Sequence, residues 1–106
     1  MPALSDEFLK KMVEEGLRIK YSKRLKVGAG YCSGSGLEVL VGVGGSQNNI
    51  DETLVHEIIE AYLKRVGITS LWGRMPHKYI DMLTEELLEF GFAQTIKRLV
   101  PSEHIG

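Results

Sequence analysis

Apolar side chains near the start of the chain, Phe8, Leu9, Met12, Val13 and Leu17, recur at helical spacing. That period predicts an amphipathic helix over residues 5–21, with Ser5 or Asp6 as its N-cap and Asp6 and Glu7 beside the positive end of the helix dipole. The period then changes. Over residues 23–32, Leu25, Val27, Ala29 and Tyr31 alternate with Lys26, Gly28 and Gly30, and beyond Ser33-Gly34-Ser35-Gly36 a β-branched run fills residues 37–43. Two strands joined by a glycine-serine turn are expected. Gly44-Gly45-Ser46-Gln47-Asn48 breaks the alternation, and Asn49-Ile50-Asp51-Glu52 has the N-x-x-E form of a capping box. A second helix is expected over residues 50–66, where Leu54, Val55, Ile58, Ile59, Tyr62, Leu63 and Val66 make a broad apolar face and Gly67 serves as the stop. Residues 68–75, with the sole tryptophan, Trp72, read as a loop. Pro76 suits the first turn of a third helix lined by Ile80, Leu83, Leu87, Phe90 and either Ala93 or Gln94, which Gly91 can bend or interrupt. The tail, residues 101–106, is expected to fray.

These elements make an α+β domain. A chain of 106 residues, 43% hydrophobic, is sized for one domain spanning residues 1–106. Thirteen basic residues nearly cancel fourteen acidic ones, so the net charge of -1 offers no footprint for nucleic acid or an anionic membrane. The lone Cys32 cannot form an internal disulfide, and Met1–Glu7 lacks the basic and apolar regions of a signal peptide, so a cytoplasmic setting is expected. No apolar run reaches the roughly 18 to 20 residues that span a bilayer, and a soluble protein is expected.

The chemistry concentrates in His56-Glu57-Ile58-Ile59-Glu60. Residues four apart lie one above the other on a helix, so His56 and Glu60 can direct an imidazole nitrogen and a carboxylate oxygen at one ion. Glu57 lies about 100° round the helix from His56, where it flanks such an ion and is placed as a general base. Three protein ligands and one water leave an open position and bring that water's pKa to about 7, as amide hydrolysis requires. A third ligand is therefore needed.

Asp51-Glu52-Thr53-Leu54-Val55-His56-Glu57-Ile58-Ile59-Glu60-Ala61 resembles the E-T-L-x-H-E-x-x-H-A pattern of small zincins, the gluzincin-like minimal metallopeptidases, at every fixed position except Glu60. The element order resembles theirs as well: N-terminal helix, short β-hairpin or sheet, metal-ligand helix, C-terminal helix. The resemblance implies a third ligand at the start of the last helix, usually glutamate, and His77 stands at that place. His56, Glu60 and His77 would then supply two imidazoles and one carboxylate, a set suited to Zn2+ and tolerant of other divalent transition metals. Asp81, Glu85 and Glu86 are alternative carboxylate ligands. A hydroxyl for the oxyanion is available from Tyr79 or Tyr62. The implied function is a zinc-dependent hydrolase in which Glu57 activates water against a peptide bond of a peptide or protein substrate. The alternative is a non-catalytic zincin-like interaction protein, such as a phage or mobile-element accessory that binds a host protein, because Glu60 departs from the usual ligand.

Plainer readings stand beside these. Glu57 and Glu60 at helical spacing from Lys64 and Arg65 can form surface ion pairs. The glycines of residues 28–34 precede a strand rather than a helix, which disfavours a phosphate loop and marks either a hairpin or a close backbone approach. Substrate pairing, where it occurs, is expected along residues 37–43. Cys32 reads as a small buried hydrophobe or an accidental fourth ligand, His104 as a solvent-exposed tail residue, and Trp72 and Met75 as core anchors of their loop or, in the functional version, the rim of a substrate cleft.

Overall fold

A computed structural model describes residues 6–26, 28–33, 35–66 and 77–105, with the side chains of Val66 and His77 outside the described set. Within it lie four helices, α1 (Asp6–Glu14), α2 (Gln47–Val66), α3 (His77–Glu89) and α4 (Phe92–Leu99). Four strands, β1 (Arg18–Ser22), β2 (Gly30–Cys32), β3 (Glu38–Gly42) and β4 (Ser102–Ile105), form one mixed sheet in the order β2-β3-β1-β4. The α+β class expected from the pattern is what the chain adopts.

The first helix is shorter than its apolar spacing predicts. Gly16 adopts φ 115, a conformation that ends a right-handed helix, and Leu17 turns into the core where strand β1 begins. Leu17, Ile19 and Tyr21 belong to a two-residue period that the helical reading had absorbed. They are buried, while Arg18 is exposed and Lys20 half-buried. Ile19 and Tyr21 of β1 and Val39 and Val41 of β3 point to one face, which α2 covers. The opposite face carries Arg18, Lys20, Glu38, Leu40 and Tyr31, with Lys20 Nζ 3.4 Å from Glu38 Oε2.

β2 and β3 form an antiparallel hairpin as expected, with Tyr31 opposite Leu40, but of the strand expected over residues 23–32 only Gly30–Cys32 forms, since residues 23–25 turn and bend away, and β1 pairs β3 in parallel rather than its chain neighbour β2. β3 therefore uses both of its edges within the sheet, which leaves no edge of it for the substrate pairing expected along residues 37–43; among the described residues, the edge of this hairpin without a strand partner belongs to β2. The tail does not fray. It forms β4, parallel to β1, anchored where the Ile19 amide donates to the Pro101 carbonyl (3.0 Å) and the His104 ring stacks on Tyr21 (5.1 Å between centroids).

The start of α2 precedes the expected capping box. Ser46 is the cap, its Oγ accepting from the Asn49 amide (3.2 Å) and its carbonyl from the Ile50 amide (3.0 Å). Leu54, Val55, Ile58, Ile59, Ala61 and Leu63 are all buried, because sheet and helices enclose α2 from different sides. The third helix is interrupted at Gly91, which takes φ 75 and separates α3 from α4. No helix among the described residues is long and apolar enough to cross a membrane.

Candidate metal centre

α2 is held so that one of its faces meets the sheet and another meets a cleft. The cleft encloses about 650 Å³ between α2, α3 and the approach to β2. Its walls are Glu52, Thr53, His56, Glu57 and Glu60 from α2, Asp81, Thr84 and Glu85 from α3, and Gly28, Ala29 and Gly30 from the hairpin. Five of these are carboxylates, and no Lys or Arg joins them among the described residues.

His56 lies at the centre of this wall. Its Nε2 is 3.1 Å from Glu60 Oε2, one turn along α2, and its Nδ1 is 3.4 Å from Asp81 Oδ1 on α3. Ligand atoms of His56, Glu57 and Glu60 all fall within 4.8 Å of one another. Helical geometry alone placed Glu57 beside the pair; side-chain reach brings its carboxylate into the same group.

Glu57 is only 6% exposed. Burial pushes it up to about 7, the nearby Glu60 charge adds to the rise, and the Lys64 ammonium opposes it. Gly30 packs against it so closely that an added Cβ would lie 2.8 Å from Glu57 Oε2 and from Thr53 Cγ2. The alternating glycines thus mark a close backbone approach to the helix that bears the site.

The ion pairs expected for Glu57 and Glu60 with Lys64 and Arg65 do not form. Lys64 Nζ instead donates to the carbonyls of Cys32 (2.7 Å) and Ser33 (3.2 Å), and Arg65 meets Glu15 (2.6 Å). Both cations are drawn toward other elements, leaving the carboxylates of α2 facing the cleft.

No family model, curated protein or solved structure matches this chain. The site is therefore characterised by its own geometry. His56 and Glu60 converge as their spacing predicts, and Glu57 joins them. Residue 77 opens α3, but its imidazole lies outside the described residues. Tyr79 is half exposed, with Lys78 Nζ 5.2 Å from its ring centroid, and Tyr62 packs edge-on to Phe8; neither lines the cleft. Of the alternative carboxylates, Asp81 and Glu85 line it and Glu86 does not. Cys32 is buried and its thiol is pushed up to about 11, chiefly by burial, which suits a packed hydrophobe rather than a nucleophile. Glu52 and Thr53 belong to the motif but had no role in the site, the glycines of residues 28–30 were read only as a hairpin or a close backbone approach, and Thr84 carried no signal in the sequence; all of them line the cleft.

Proposed function

We propose that the cleft binds a divalent metal ion and that the chain is a metal-dependent hydrolase resembling minimal zincin metallopeptidases. The observation that carries the reading is the convergence of His56, Glu57 and Glu60, whose ligand atoms lie within 4.8 Å of one another on the wall of a cleft lined by five carboxylates and, among the described residues, by no Lys or Arg. One imidazole with nearby carboxylates fits Zn2+ and equally the harder first-row ions Mn2+ and Fe2+. His56 and Glu60 hold the ion in this reading. His77 is the proposed third ligand, because its backbone sits one helical turn before Asp81 on the helix that walls the cleft. A bound ion of this kind supplies the Lewis acidity that makes water nucleophilic near neutral pH.

The roles of the chain's own groups follow from position. Glu57 takes the proton of the attacking water and returns it to the leaving amine. The open edge of β2, with Gly28, Ala29 and Gly30 on the cleft wall, receives an extended peptide substrate by main-chain hydrogen bonding. Tyr79 and Tyr62, the two hydroxyls considered for the oxyanion, both lie outside the lining of the cleft, and Tyr79 on α3 would need to swing toward it.

Purified protein is expected to carry about one zinc per chain, lost on His56→Ala. Glu57→Gln is expected to retain the ion and to abolish cleavage of a mixed peptide library. A metal-free wild type whose melting temperature does not rise with added Zn2+, Mn2+ or Fe2+ rejects the reading.

A competing role, non-catalytic binding of a partner protein, is favoured by one observation. Met82, Tyr79 and Phe90 are exposed along and just beyond α3, Phe90 at 85%. That role predicts no bound metal and variants of His56 and Glu57 that leave partner binding unchanged.

A further inference from the structure

We infer that Asp81 is the positioning residue of the metal centre: it fixes the orientation and the proton of His56 from a separate helix and is not itself a ligand. The inference rests on the metal-centre reading above and goes beyond the His56-Glu60 clamp. The two nitrogens of an imidazole point to opposite sides of the ring, and here each faces a different carboxylate. Glu60 Oε2 lies 3.1 Å from Nε2, so an ion shared by His56 and Glu60 sits at Nε2. Asp81 Oδ1 lies 3.4 Å from Nδ1, on the far side of the ring from that ion. It cannot reach the same ion unless the ring turns over.

With Nε2 engaged, the remaining ring proton resides on Nδ1, and Asp81 is the carboxylate placed to accept it. At 3.4 Å the two atoms stand a little beyond a good hydrogen-bond distance, a gap that a small movement of the Asp81 side chain, 66% exposed, closes. An accepting carboxylate on the second nitrogen holds the tautomer and ring plane and raises the basicity of the ligating nitrogen. Because His56 belongs to α2 and Asp81 to α3, the contact also ties the two walls of the cleft together at the ion.

The test compares Asp81→Ala and Asp81→Asn with wild type, His56→Ala and Glu60→Ala, reading zinc affinity by chelator competition and the visible spectrum of the cobalt(II)-loaded protein. Asp81→Ala is expected to weaken zinc binding roughly 10- to 100-fold, with Asp81→Asn between it and wild type because the amide oxygen accepts the bond without charge. Cobalt bands should keep their wild-type intensity in both, since no ligand is lost, and metal-free melting temperatures should be unchanged. Affinity within about twofold of wild type in both Asp81 variants overturns the inference. So do collapsed cobalt bands, or a loss of binding as complete as in His56→Ala, which would make Asp81 a ligand. A wild type that takes up neither zinc nor cobalt is a separate result, which removes the metal centre and this assignment together.

Discussion

At the scale of single residues, the fold sets a carboxylate with little of its surface exposed on the wall of a cleft. Glu57 has an ordinary value of 4.5 and is raised to about 7, chiefly by burial. The folded state therefore binds its proton more tightly than the unfolded chain does. Stability from this group is in full below about pH 4.5, falls as pH rises through the folded value, and is missing above it. In chelator-treated protein, Glu57→Gln should thus gain stability relative to wild type as pH rises from about 4 to about 8, by on the order of 3 kcal/mol. Urea unfolding at both ends of that range checks it; a constant difference between variant and wild type would show that Glu57 does not titrate on folding. The His56-Glu60 pairing was legible because a spacing of four is set by the helix itself. Asp81 was one of several carboxylates on its helix, and only the packing of α3 on α2 singles it out.

At the scale of elements, Lys64 joins α2 to the hairpin. Spacing offered it Glu60, yet its ammonium caps the carbonyls of Cys32 and Ser33 where β2 ends, groups that the short ladder leaves to other donors. Lys64→Met keeps the apolar stem and removes the donor. It should cost about 1 to 3 kcal/mol and speed amide exchange in β2 and β3 while leaving α4 protected. Equal exchange rates in the two proteins would show that the hairpin is held by the sheet alone. The boundary between α1 and β1 was misread for a local reason: Leu17 satisfies both periods, and the glycine that decides between them acts through its φ. The end of the third helix was better marked, since Gly91 lies where the interruption occurs.

At the scale of the whole molecule, the sheet is completed by the far end of the chain. β4 covers the outer edge of β1, and its His104 ring lies over Tyr21, although all four of its residues are exposed. Deleting residues 102–106 should lower stability by on the order of 2 to 4 kcal/mol and promote association through the uncovered edge. Urea midpoints and light scattering measure the two effects; an unchanged midpoint would put β4 outside the cooperative fold. Hydrophobic periodicity by itself determined the α+β class, the hairpin, the length of the central helix to within a few residues, and the face on which His56 and Glu60 meet. Those features depend on contacts between near neighbours in the chain. Only the tertiary structure decided the strand order, the capture of the tail, the burial of Glu57 beneath Gly30 and the approach of Asp81 to His56. Each of these brings together groups far apart in sequence, whose pairing is set by packing and by the satisfaction of edge hydrogen bonds rather than by any local period.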